Sequence, residues 1–168
     1  MKHLWSPWRM TYLKANDKTS GGNPAGTGCL FCDKPAENRD AENLIVWRGE
    51  RVYVLLNLYP YNNGHFMVVP YQHVPSPEQL DTATLTEIMT SLNDGLAALR
   101  AVYNPQAFNI GLNVGTAAGA GIAEHIHLHA VPRWAGDTNF MTVAAETRVI
   151  PEDLRVTWRR MREAWPKG

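Results

Sequence analysis

Histidines recur at every second position in Glu124-His125-Ile126-His127-Leu128-His129-Ala130-Val131. An extended strand sends alternate side chains to opposite faces. The run therefore predicts a strand with His125, His127 and His129 on one face. Ile126, Leu128 and Val131 then lie at or near the face that packs inward. Neutral imidazole is a nucleophile, a proton carrier and a metal ligand near pH 7. A row of three suits phosphate chemistry or metal binding. The competing reading is the polar outer face of an ordinary half-buried strand. It is the weaker one, because such faces are normally filled by Lys, Glu and Thr.

The totals narrow the class. A chain of 168 residues is long enough for one domain with a real core. Lys plus Arg equals Asp plus Glu at 16 each, so the formal net charge is zero. That disfavours a broad electrostatic footprint for DNA or RNA, though not a small anion held by local donors. No apolar run reaches the ~18 residues of a membrane span, and the start lacks a signal-peptide pattern. The chain reads as cytoplasmic, with no nucleic-acid partner and no membrane partner.

Residues 1–27 read as an N-terminal arm carrying Trp5, Trp8 and Tyr12, followed by a Gly-rich flexible loop. The aromatics of the arm are expected to pack on the body or on a second subunit. Residues 28–168 read as a single domain. Strands are expected over 43–48 and 51–57, joined at Gly49-Glu50, then over 65–70 and 107–114. Ser76, Pro77 and Gln79 form an S-x-x-Q capping box for a long helix. Its apolar stripe runs through Leu85, Ile88, Met89, Leu92, Leu96, Leu99 and Tyr103 at helical spacing. A last helix is expected from about 151 to 165, with Arg155, Arg159, Arg160 and Arg162 on a solvated face. Segregated strands with a long helix between them give an α+β fold with an antiparallel sheet, one long central helix and a C-terminal helix.

Two further features carry chemistry. The small residues from Gly115 to Gly121 let backbone approach an anion closely, and their N–H groups are expected to face it. Cys29 and Cys32 are the only cysteines. Their two-residue gap fits a zinc knuckle or a redox pair. A reduced, metal-free thiol pair stays open, and no βαβ pattern surrounds the pair to favour a thioredoxin-like role.

The triad, the small-residue loop before it and Pro132-Arg133 after it together resemble the histidine triad (HIT) family, whose signature is His-φ-His-φ-His-φ-φ with φ apolar. The likeness extends to Asn57-Leu58-Tyr59-Pro60, to Gly64-His65-Phe66-Met67-Val68-Val69-Pro70 and to Cys29-Leu30-Phe31-Cys32, and covers about residues 28–140. It implies a HIT-like fold and a nucleotide hydrolase or transferase. His127 would attack the α-phosphorus, with His129 and His125 completing the catalytic triad. Substrate contacts would fall on Asn57 at the ribose hydroxyls, on Asn113 and His129 at phosphate oxygens, and on Ala120 and Gly121, with His65 nearby. Trp134 would close over the nucleotide, or else lie buried at a strand end. The zinc-carrying relatives imply a structural zinc on Cys29, Cys32, His73 and His125, and no organic cofactor. Family members are commonly homodimers whose sheets join edge to edge.

The chain departs from the family's dinucleoside polyphosphate hydrolases, which carry a Gln shortly before the triad. Here the stretch reads Ala118-Gly119-Ala120-Gly121-Ile122-Ala123-Glu124. Small residues leave room for an acceptor larger than water, such as inorganic phosphate. The flanks Leu4-Trp5-Ser6-Pro7-Trp8-Arg9 and Pro132-Arg133-Trp134, leading into Asp137-Thr138-Asn139-Phe140, are similar to a bacterial branch that cleaves diadenosine tetraphosphate by phosphorolysis. The resemblance thus implies ADP plus ATP from that substrate. The alternatives are a hydrolase of dinucleoside polyphosphates or phosphoramidates releasing AMP, and a non-catalytic nucleotide- or zinc-binding module.

Overall fold

The structure, a computed structural model, describes residues 27–137 and 152–166. The aromatic arm and residues 138–140 lie outside them. Five strands form one antiparallel sheet: β1 (Ile45–Arg48), β2 (Val52–Leu56), β3 (Phe66–Pro70), β4 (Ala107–Leu112) and β5 (Leu128–Arg133), in the order β1-β2-β3-β5-β4. Among the described residues four α-helices accompany them: α1 (Leu30–Ala36), α2 (Asp40–Asn43), α3 (Thr82–Tyr103) and α4 (Leu154–Ala164). The expected α+β architecture, with a long central helix and a C-terminal helix, is the observed one.

Each face of the sheet is covered by a different layer, which explains the sequence pattern of its middle strands. Val52, Val54 and Leu56 of β2 and Phe66 and Val68 of β3 pack beneath α3 and α4, with Leu92, Leu99 and Met161. Tyr53, Leu55, Met67 and Val69 face the other way and pack with Phe31 of α1. Both faces being buried, β2 and β3 read as continuous apolar runs rather than alternating ones. The β1–β2 turn closes at Gly49, whose N–H donates to the Val52 carbonyl at 2.8 Å. Arg155, Arg159, Arg160 and Arg162 are exposed on α4 as expected.

Three local expectations need correction. The long helix begins at Thr82, not at Pro77, and its cap is Asp81, whose carboxylate accepts from the Thr84 N–H. Pro77–Gln79 forms a separate 3-10 turn, and the Ser76 hydroxyl bonds Glu78. Leu80 is extended between the two and buried with Val74 and Ile126, so its anchoring breaks the helix there. The histidine strand pairs only from Leu128 onward, with His125 to His127 as an unpaired lead-in. Finally, α1 and α2 stand where no helix was expected. They are short and uncapped by side chains, so no periodic or capping signal announces them.

Candidate active site

Register places the triad at the centre of the sheet. β5 lies between β3 and β4, and His129 is opposite Met67 on one side and Gly111 on the other. The lead-in is held by the Ile126 N–H, which donates to the Val74 carbonyl at 2.7 Å. Ile126 packs with Val74 and Leu80, and Leu128 packs in the helix-side core. The histidines project to the other face, as the alternation requires. That face is walled by Phe31 of α1, whose ring lies 4.8 Å from that of His127 and 5.5 Å from that of His125. His125 and His127 are consequently buried.

The backbone assigns the proton on each ring. A carbonyl can only accept, so the 2.9 Å contact of His127 Nδ1 with the His125 carbonyl puts a hydrogen on Nδ1. His127 Nε2 is then a bare lone pair. A backbone N–H can only donate, so the Tyr61 N–H at 3.1 Å makes His65 Nδ1 an acceptor and puts the His65 hydrogen on Nε2. His65 Nε2 lies 3.0 Å from His129 Nδ1, which must accept. His129 therefore carries its hydrogen on Nε2. The two rings, 4.7 Å apart, are held in opposite tautomers, one a nucleophile and the other a donor. Burial keeps them neutral. It lowers the pKa of His127, pushes His129 down to about 4 with help from His127, and pushes His65 down to about 3 with help from His129 and His127. Such an arrangement can attack phosphorus from one ring and donate to a phosphoryl oxygen or leaving group from the next.

The other expected substrate residues fall in different places. Asn57 is half-buried at the end of β2; its Nδ2 lies 3.4 Å from His65 Nδ1 and its Oδ1 accepts from the Tyr59 N–H at 3.0 Å. Asn113 follows β4, two residues beyond Gly111, the register partner of His129. The loop from Gly115 does not present all its N–H groups outward. Those of Ala118, Gly119 and Ala120 donate to the carbonyls of Gly115, Thr116 and Gly115 within a closed turn, with Gly115 and Gly119 at positive φ. A 3-10 turn consumes the donors that an open loop would have offered. Trp134 sits at the end of α3, where its indole N–H donates to the Tyr103 carbonyl at 3.3 Å. With Asn62, Asn63, Tyr103 and Asp137 it lines a cavity of about 320 Å³. The structure thus places it at a strand end and not beside the histidines.

Cys29, Cys32, His73 and His125 converge from α1, the loop after β3 and the triad lead-in, with all four potential ligand atoms within 4.8 Å of one another. His125 Nε2 donates to the Pro70 carbonyl at 2.9 Å, which leaves Nδ1 bare and aimed at the cluster. With Zn–N near 2.0–2.1 Å and Zn–S near 2.3 Å, a tetrahedral centre needs about 3.3 Å between nitrogens and about 3.5 Å from nitrogen to sulfur. His73 Nδ1 and His125 Nδ1 are 3.3 Å apart, and three of the four nitrogen–sulfur pairs lie at 3.3, 3.4 and 3.5 Å. The residues fit the ion.

Sequence reasoning missed two contributors, Phe31 and Tyr61. Phe31 had a faint signal, an apolar residue between two cysteines. Tyr61 acts through its backbone N–H, which no residue type announces.

Comparison with known proteins agrees with this picture. The HIT domain family matches residues 38–136. The chain is 43% identical over 168 residues to AP-4-A phosphorylase of Mycobacterium tuberculosis, covering 99% of this chain and 86% of that one. It is 31% identical over 93 residues to bis(5'-nucleosyl)-tetraphosphatase [asymmetrical] of Schizosaccharomyces pombe, covering 55% of this chain and 50% of that one. Among solved structures, a Zn-bound histidine triad family protein from Mycobacterium smegmatis aligns with a TM-score of 0.65 and 28% identity, covering 81% of this chain and 91% of that chain.

Proposed function

The chain belongs to the HIT domain family, and from that premise we propose that it is an enzyme cleaving diadenosine tetraphosphate by phosphorolysis through a nucleotidyl-His127 intermediate. The observation that carries the reading is the pair of opposed tautomers, a bare Nε2 on His127 beside an Nε2–H on His129. The substrate is supported by the 43% identity to AP-4-A phosphorylase.

In the first step His127 Nε2 forms a bond to the α-phosphorus of one adenosine, the α–β bridging P–O bond breaks, and ATP leaves. The His129 Nε2–H donates to the oxygen on which charge develops. The His127 Nδ1–H stays on the His125 carbonyl and stabilises the positive charge the ring acquires. In the second step an oxygen of inorganic phosphate attacks the same phosphorus, the P–N bond breaks, and ADP leaves with His127 neutral again. The small residues from Ala118 to Gly121 would leave space for that acceptor. Asn57 is assigned to the ribose hydroxyls, and Asn113 and Gly121 to the phosphates, while Ala120, whose N–H is taken by the Gly115 carbonyl, shapes the turn beside them. His65 orients His129.

Cys29, Cys32, His73 and His125 would hold a structural zinc ion. An ion held by these four residues would cross-link α1, the loop after β3 and the triad lead-in and so stabilise the fold. No organic cofactor is needed for these steps. We place the enzyme in the cytoplasm, where its thiols stay reduced; among the described residues no helix is long and apolar enough to cross a membrane. We also propose a homodimer joined at β4, the exposed edge of the sheet.

Product analysis is the test. The protein is incubated with diadenosine tetraphosphate with and without inorganic phosphate, and nucleotides are identified by mass. ADP and ATP formed only with phosphate are expected. AMP and ATP formed in either condition would make it a hydrolase. With substrate labelled at the α-phosphate, the wild type is expected to become labelled and His127→Ala to remain unlabelled. A labelled H127A protein would move the nucleophile elsewhere, and an unlabelled, inactive wild type would leave a binding module.

A further inference from the structure

His125 belongs to two assemblies at once. Its side chain faces Cys29 Sγ at 3.3 Å, Cys32 Sγ at 3.5 Å and His73 Nδ1 at 3.3 Å. Its own carbonyl accepts the Nδ1–H of His127 at 2.9 Å and so fixes which nitrogen of that ring is bare. Its remaining ring nitrogen is spent on the Pro70 carbonyl at the end of β3. No polar atom of the His125 ring is left for a substrate, and the residue is fully buried.

A second contact runs in parallel. Phe31 stands between Cys29 and Cys32 in sequence, and its ring lies against both His125 and His127. Its carbonyl accepts from the Tyr53 hydroxyl at 2.7 Å, which anchors α1 to β2. Whatever fixes the two cysteines therefore also fixes the wall behind the nucleophile. The four-residue cluster reaches His127 by a backbone hydrogen bond from one side and an aromatic face from another.

We propose that His125 and Phe31 are positioning residues through which occupancy of the Cys29–Cys32–His73–His125 cluster by zinc sets the orientation and tautomer of His127. Occupancy then governs formation of the nucleotidyl-histidine while leaving nucleotide binding unchanged. The inference rests on the metal reading given above. Its physical basis is that partners of metal-bound histidines orient what they touch, and removing them typically costs about 10- to 100-fold in metal affinity or activity.

His73→Ala tests it. His73 is exposed and contributes to the cluster, not to the triad. Four quantities are measured on wild type and variant: zinc per chain, the rate of covalent labelling in a single turnover, AMP affinity by calorimetry, and the tautomer of His127 from ring nitrogen chemical shifts. The expected result is loss of zinc, labelling slowed by about 10- to 100-fold, unchanged AMP affinity, and a His127 ring that exchanges between tautomers. Chelated wild type is expected to match the variant, which gives the same comparison without a substitution. His73→Cys supplies a thiolate in place of the imidazole, and is expected to restore both zinc and labelling.

Zinc-free H73A that labels at the wild-type rate with His127 in one tautomer would overturn the coupling and leave the metal reading intact. A fall in AMP affinity in step with labelling would also overturn it, since the whole site would then have collapsed. Wild type that takes up no supplied zinc overturns the coupling together with the metal reading. The phosphorolysis reading stands or falls separately, on the product analysis.

Discussion

His65 shows how one residue acquires a role from its neighbours. Both of its ring nitrogens are occupied, Nδ1 by the Tyr61 N–H and Nε2 by His129 Nδ1. It has nothing to offer a nucleotide directly and acts by holding His129 as an Nε2–H donor. His65→Leu removes that constraint. Single-turnover labelling is expected to fall by on the order of 10²-fold, the low end of what a positioned acid contributes. His65→Gln, which keeps an N–H donor, should recover part of the loss; equal rates for wild type and H65L would dismiss the role. The pH dependence has a definite sign. The pKa of His65 is pushed down to about 3, by burial first and then by His129 and His127, against about 6.5 in the unfolded chain. The unfolded state therefore binds more protons, and the contribution of His65 is fully present above pH 6.5 and erodes as pH falls toward 3. Melting temperature should drop less steeply in H65Q than in wild type between pH 6.5 and 4. That the histidine row suits phosphate chemistry is legible in the triad; which tautomer each ring adopts, and which backbone group fixes it, is not, because Tyr61 and the His125 carbonyl act through atoms every residue possesses.

The elements repeat this division. The apolar stripe marks α3 as the central helix, yet only its middle and end pack on the sheet: Leu92 and Leu99 are buried, while Leu85 and Met89 of the same stripe are exposed, and Thr84, Ser91 and Ala98 fill the buried face instead. What the stripe does not show is how closely the helix approaches the sheet. Gly95 sits over β3 so closely that a Cβ there would lie 2.5 Å from Cζ of Phe66, a fully buried ring. Gly95→Ala improves helix propensity by about 1 kcal/mol, while forcing an overfilled core typically costs about 1–3 kcal/mol. The ring cannot move into solvent, so the second effect wins. Urea denaturation should show G95A destabilised by up to about 2 kcal/mol, and a stabilised G95A would mean that the helix and sheet separate easily. The helix start teaches a related lesson. Ser76 and Gln79 have the spacing of a capping box, yet Asp81 caps the helix, because burial of Leu80 separates the two turns.

At the scale of the whole molecule, β4 ends the sheet, with no further strand beside it among the described residues. β4 is exposed along nearly its whole length, with Ile110 47% and Leu112 40% exposed. An apolar edge strand with free hydrogen-bonding groups is a template for pairing with another chain. Twofold pairing of β4 with its copy would satisfy both the backbone and the side chains. Sedimentation at micromolar concentration should give a dimer for the wild type and a monomer for Leu112→Asp. A wild-type monomer would remove the basis for the edge contact. β4 also borders β5, so the same pairing would stiffen the strand that carries His129.

By itself, the sequence determined that three histidines share one face of a strand, that 51–57 and 65–70 are strands, and that one long helix stands between segregated strands. These are properties of side-chain periodicity, which is local and survives any change in the rest of the chain. The resemblance to a known family added the residues of the metal cluster. Only the tertiary structure brought Cys29 to within 3.3 Å of His125 across a separation of 96 residues, set Trp134 against the end of α3, and folded the donors of Ala118, Gly119 and Ala120 back into their own turn. Those outcomes depend on which backbone N–H or carbonyl each group meets. Register and loop closure decide that, and both are properties of the chain as a whole.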